Sequence, residues 1–131
     1  MVFVDSNFWI GLLNKDDKHS IRAFELATQL QRLDETIYVT SGVVHEVVNH
    51  LFKIKGKEIG ITALTFFLSA NNLEIIFLSQ DLWKNETQLF IEHEINLTDA
   101  QILAAMQEKN ELVVYSFDKH FGQDKKIKRI Y

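Results

Sequence analysis

The chain has 131 residues, 47% hydrophobic and 24% charged, a size and balance at which one domain buries an adequate core without crosslinks. It has no cysteine, which excludes disulfides and thiolate metal sites and leaves oxygen and imidazole as ligands. A net charge of −4 argues against a broad basic nucleic-acid face, yet setting aside four acids discussed below leaves 14 acids against 14 Lys and Arg.

The opening Met-Val-Phe-Val-Asp enters an apolar run at once, with no basic leader and no cleavage motif, so a cytoplasmic protein is expected. Residues 2–4 read as a buried strand. Residues 6–13 read as a helix through Phe8, Trp9, Leu12 and Leu13. A second helix is predicted over 19–35, a β-rich run over 36–40, then two successive helices over 41–55 and 57–71, divided at Gly56. The charge-free stretch 59–72 is well short of the roughly 20 residues of a membrane span, so no membrane association is expected. A third strand over 73–78, a helix over 80–94, an Ala-rich helix over 98–109 and a fourth strand over 112–115 follow, with residues 127–131 as a short edge strand. Proline is absent and no segment reads as a linker or repeat, so residues 1–131 are expected to form a single domain. Buried strands alternating with helices predict an α/β fold, a three-layer sandwich with a mainly parallel central sheet.

Ligands of open parallel sheets gather beyond the carboxyl ends of the strands. Asp5 ends the first strand and Asp118 follows the fourth, at that edge. Each also has a plain structural reading, Asp5 as a helix N-cap and Asp118 as the former of an Asx-turn. Asp99 opens the Ala-rich helix, where unpaired N–H groups favour a carboxylate; with Thr98 as the cap, Asp99 is free to face the site. Glu46 lies opposite the apolar stripe Val43, Val44, Val47, Val48, Leu51 and Phe52, on a polar ridge with Asn49, His50 and Lys53. That ridge is either a solvated face with weak i,i+4 pairs or one side of an acidic centre. Four carboxylates brought together repel one another and call for a hard divalent cation such as Mg²⁺, and such a centre suits hydrolysis of a phosphodiester. Two basic clusters, Lys53, Lys55 and Lys57, and Lys125, Lys126, Lys128 and Arg129, permit RNA contact and equally suit a solvated surface.

Taken in order, Val4-Asp5-Ser6-Asn7, Glu46 within Val44-His45-Glu46-Val47-Val48-Asn49-His50-Leu51, Leu97-Thr98-Asp99-Ala100 and Ser116-Phe117-Asp118-Lys119-His120-Phe121 resemble the PIN-domain family, in particular its small toxin-like VapC members. The resemblance spans nearly the whole chain. It implies a PIN-like sandwich, Mg²⁺ or Mn²⁺ dependence and cleavage of RNA by a divalent-metal-dependent endoribonuclease. It carries over Asp5, Glu46, Asp99 and Asp118 as acidic metal ligands, with Ser6, Asn7, Thr98 and Ser116 orienting them, while the ridge of Glu46 itself offers Asn49 or His50 as a neighbour facing substrate. Toxin-like members pair with a small antitoxin and form homodimers, for which Phe24, Phe66 and Phe67 offer apolar surface if they are not core. Some members have a further acid where this chain has His120, which leaves one or two metals open and allows His120 an RNA contact. Two other readings compete: a catalytically inactive PIN-like module that binds RNA or protein, and a phosphatase of the haloacid-dehalogenase or receiver kind. The second expects an aspartate at position 7, which is Asn7.

Overall fold

Five short apolar runs associate into one parallel sheet in the computed structural model, which describes residues 1–131. The elements are β1 (Val2–Val4), α1 (Ser6–Leu13), α2 (Ser20–Leu33), β2 (Ile37–Thr40), α3 (Ser41–Lys55), α4 (Lys57–Ser69), β3 (Leu73–Ile76), α5 (Gln80–Glu92), α6 (Leu97–Lys109), β4 (Val113–Tyr115) and β5 (Lys128–Ile130). Strand order is β3-β2-β1-β4-β5, and every neighbouring pair is parallel. The expected sheet was mainly parallel; the observed one is wholly so.

This order follows from two directions of winding. The chain steps outward from β1 to β2 to β3, then returns through α5 and α6 to place β4 on the other flank of β1. Phe3 pairs with Tyr38 on one side and with Val114 on the other. The reversal lies between β1 and β4, and their carboxyl ends diverge there into a crevice. Helix α1 packs on α2 and α3, α3 packs on α4, and α5 packs on α6, so helices flank the sheet. A strand covered on both faces must be apolar throughout, and Phe3, Val4, Val39 and Val114 are all buried. Truncating Phe3 to Ala would cost about 3–5 kcal/mol at such a site.

Helix α3 is rich in Val43, Val44, Val47 and Val48, β-branched residues that are mediocre helix formers. Tertiary packing supplies what propensity lacks. Val43, Val47 and Leu51 are fully buried, Thr40 caps the N-terminus by accepting the Val43 N–H at 3.3 Å, and Gly56 ends the helix at φ 95°.

Where element ends differ from expectation they do so by one or two residues, for local reasons. β3 stops at Ile76, leaving Phe77 and Leu78 exposed, because Ser79 turns the chain into α5 by accepting the Leu82 N–H at 3.1 Å. Helix α6 begins at Leu97 because Asn96, not Thr98, is its cap; Asn96 Oδ1 accepts the Asp99 N–H at 2.8 Å. Phe67 lies in the core against Trp9, Phe66 is half-buried beside it, and Phe24 is exposed on α2. No helix is long and apolar enough to cross a membrane.

Candidate metal centre

Asp5 stands where β1 becomes α1, at the strand reversal. Its backbone N–H donates to the Tyr115 carbonyl at 3.0 Å, which continues the β1–β4 ladder to the mouth of the crevice. Its carboxylate is almost wholly buried and holds two partners: Oδ1 accepts the Ser6 N–H at 2.6 Å and Oδ2 accepts the Ser116 hydroxyl at 2.6 Å. The Ser6 hydroxyl lies at a longer 3.3 Å from Oδ1. Asp5 therefore does cap α1, and it faces the crevice as well. Burial pushes its pKa up to about 6; the Ser116 and Ser6 hydrogen bonds pull it down, and the charges of Glu46 and Asp118 push it up again.

Ser116 links the two strand ends. While donating to Asp5, its oxygen accepts the Asp118 N–H at 3.0 Å. Asn7 braces the same turn, with Oδ1 accepting the Phe117 N–H at 3.1 Å and Nδ2 lying 3.5 Å from the Ser116 oxygen. Arg129 on β5 donates to the Ser116 carbonyl at 3.3 Å, so one member of the C-terminal basic cluster is committed to this turn. Asp118 forms the expected Asx-turn, its Oδ1 accepting the His120 N–H at 2.9 Å, and remains partly open to solvent.

Asp99 is buried, and its Oδ2 has no hydrogen-bond partner. Its pKa is pushed up to about 8, first by burial and then by the negative charges of Asp5, Asp118 and Glu46. Mutual electrostatics thus join four acids from β1, α3, α6 and the β4 exit. Glu46 is the exposed member, on the rim of a recess that it shares with Gly42, His45, Thr98 and Gln101. Thr98 is half-buried there, while Asn49 and His50 are exposed one turn further along α3.

A buried carboxylate oxygen with no donor, beside three more acids, lacks a counter-charge. The donor set is hard oxygen, and the carboxylates of Asp99 and Asp118 converge with the His120 imidazole so that one ligand atom from each lies within 4.8 Å of the others. These residues fit a hard divalent cation.

Sequence reasoning missed the pair that supports this recess from behind. Gln101 and Glu86 are both buried and linked at 3.3 Å, and Gln101 Oε1 accepts the Gly42 N–H at 2.8 Å. The spacing of its apolar residues marks α5 as a helix and gives Glu86 no role. Its available signal was position: Glu86 lies four residues after Leu82 and three before Leu89, on the stripe that faces the core.

A family model described as PIN domain matches residues 2–126. Among solved structures, VapC20 of Mycobacterium tuberculosis, a sarcin-ricin-loop-cleaving toxin, superposes with a TM-score of 0.80 at 23% identity, covering 93% of each chain. VapBC2 of Rickettsia felis, solved with a fragment of promoter DNA, matches at TM-score 0.73 and 21% identity over 99% of this chain and 98% of that one. A toxin–antitoxin complex of Klebsiella pneumoniae matches at TM-score 0.69 and 20% identity over 98% of this chain and 96% of that one. At such identities the likeness is one of fold. No curated protein sequence gave a significant match.

Proposed function

The chain belongs to the PIN-domain family, and on that footing we propose that it is a divalent-metal-dependent endoribonuclease, a single domain over residues 1–131 serving as the toxin of a toxin–antitoxin pair. The observation that carries this reading is the buried, unpartnered Oδ2 of Asp99, set among the charges of Asp5, Glu46 and Asp118 at the strand reversal.

In this reading Asp5, Asp99 and Asp118 hold Mg²⁺ or Mn²⁺ and Glu46 completes the set from the rim. The chemistry such an ion would supply is Lewis-acidic: it would offset charge on a scissile phosphate and lower the pKa of water so that hydroxide is available as the nucleophile. The protein's own groups do the positioning. Ser6 and Ser116 fix the Asp5 carboxylate through both of its oxygens, and the Asn7 brace fixes Ser116. The Asn96 cap removes the Asp99 N–H from competition, so the Asp99 carboxylate has no local backbone partner. Glu46, exposed, is the acid best placed to meet an incoming strand, with Asn49 and Thr98 beside it.

Relatives solved as toxin–antitoxin complexes support a small antitoxin partner. The exposed Ile21, Phe24 and Leu33 on α2 and Ile61, Leu64 and Leu68 on α4 supply apolar surface for such a partner or for a homodimer.

Incubation with structured and unstructured RNAs, with Mn²⁺, with Mg²⁺ and with EDTA, tests the reading. The expected result is cleavage that EDTA abolishes and that Asp5→Asn lacks. EDTA-resistant cleavage, or full activity in Asp5→Asn, would overturn it; metal binding without cleavage of any RNA would favour a binding module. Expression of the chain alone is expected to arrest growth, and an adjacent small reading frame to relieve the arrest.

A further inference from the structure

We propose that His120 is a direct metal ligand, so that the ion is bound by an imidazole nitrogen together with the carboxylates of Asp99 and Asp118, and the centre prefers Mn²⁺ to Mg²⁺. The proposal rests on the acidic-centre reading and deepens it.

Two independent observations carry it. The first is the convergence of Asp99, Asp118 and His120, one ligand atom from each lying within 4.8 Å of the others. His120 Nδ1 and Asp118 Oδ1 are 2.9 Å apart. That is the spacing of a direct polar contact, and it brings both donor atoms within reach of one ion. The second is the bare Oδ2 of Asp99, buried on the inner side of the cluster. Of the three residues His120 is exposed, Asp118 partly open and Asp99 buried, so the cluster runs from the surface to a buried carboxylate.

The local chain conformation puts the imidazole there. The Asx-turn at Asp118 starts the short 3₁₀ turn Lys119–Gly122, and Phe121 buries itself as the anchor of that turn. With Phe121 in the core and Asp118 tied to Ser116, His120 is held between two fixed neighbours. Its side chain folds back to Asp118 instead of extending into solvent.

Imidazole is a borderline ligand, and Mg²⁺ takes carboxylate and water oxygens by preference. Replacing an oxygen donor by this nitrogen therefore raises affinity for Mn²⁺, Co²⁺ and Zn²⁺ and leaves Mg²⁺ without gain.

Calorimetric titration of the metal-free protein with MnCl₂ and separately with MgCl₂ tests the inference, using wild type, His120→Ala, His120→Asp and Asp99→Asn. Circular dichroism would confirm that each variant is folded. The expected result is tighter binding of Mn²⁺ than of Mg²⁺ in wild type. His120→Ala should lose at least about tenfold in Mn²⁺ affinity, since even outer-shell partners of metal ligands cost about 10–100-fold, with Mg²⁺ affinity little changed. His120→Asp should shift the preference toward Mg²⁺. Ligation has its own spectroscopic readout: with Co²⁺ bound, wild type should give a strongly shifted, exchangeable imidazole N–H proton resonance that His120→Ala lacks. Mn²⁺ affinity unchanged in His120→Ala, or a loss equal for both metals, would overturn the histidine ligand and leave the acidic centre standing. No divalent binding in wild type would overturn both.

Discussion

Gln101 joins three helices through one amide: its Oε1 accepts the Gly42 N–H at the start of α3 at 2.8 Å, and its Nε2 donates to Glu86 on α5 at 3.3 Å. Gln101 lies two residues beyond Asp99, and Gly42 four residues before Glu46. The amide therefore couples the positions of two of the four acids. A Cβ at Gly42 would come within 2.5 Å of Gln101 Oε1, so any larger residue there must push the amide aside. Gly42→Ala should displace the amide and leave Glu86 buried without its donor, at a cost of about 1–3 kcal/mol in urea denaturation. Gln101→Leu should cost a similar amount by the same route.

The metal-free protein should lose stability as pH rises. Asp99 is pushed up to about 8 and Asp5 to about 6, whereas both titrate near 3.9 when unfolded. Between those limits the native state binds more protons than the unfolded state, so stability is greatest below the unfolded pKa and falls as pH climbs through the folded values. Denaturant unfolding in EDTA across pH 4 to about 8 should show this slope, and Asp99→Asn should flatten it. An unchanged slope in Asp99→Asn would assign it to other groups.

The same repulsion makes added cation stabilising. Mn²⁺ at about 100 times its dissociation constant should add roughly 2.7 kcal/mol, read as a raised midpoint in thermal unfolding. Asp99→Asn should be more stable than wild type in EDTA and gain less from the metal. A purely structural role for Asp99 would give the reverse order in EDTA.

Ser116→Ala should keep the fold and lower RNA cleavage about 10–100-fold, because Asp5 Oδ2 and the Asp118 N–H lose the hydroxyl they share. Asp5→Asn and Asp99→Asn should fall below that range. Initial-rate measurements at saturating Mn²⁺ separate the two classes.

Much of this was legible in the chain. Strands buried on both faces are runs such as Val2-Phe3-Val4, and helices alternate with them, so the layered parallel sheet follows from periodicity. Asp5 and Asp118 could be placed because strand ends are marked by the change from apolar to polar residues. Glu46 and Asp99 depended on resemblance, since each also suits a solvated face or a helix start. Asn96 escaped notice as the α6 cap because Thr98, two residues on, is an equally good capping type. Glu86 and Gln101 were not legible: a buried polar pair has no periodic signature, and its partners are distant in sequence. The strand order, with β4 returning beside β1, is a long-range property that the local pattern does not encode.

The four acids reach one place from four remote stretches of chain, with Asp5 and Asp118 neighbours in space but separated by nearly the whole sequence. No fragment shorter than that span contains the centre. During synthesis Asp118 emerges last, followed by β5, whose Arg129 secures the Ser116 turn. A growing polypeptide therefore passes through most of its length with these four acids unassembled, and brings them together only as the last strands dock.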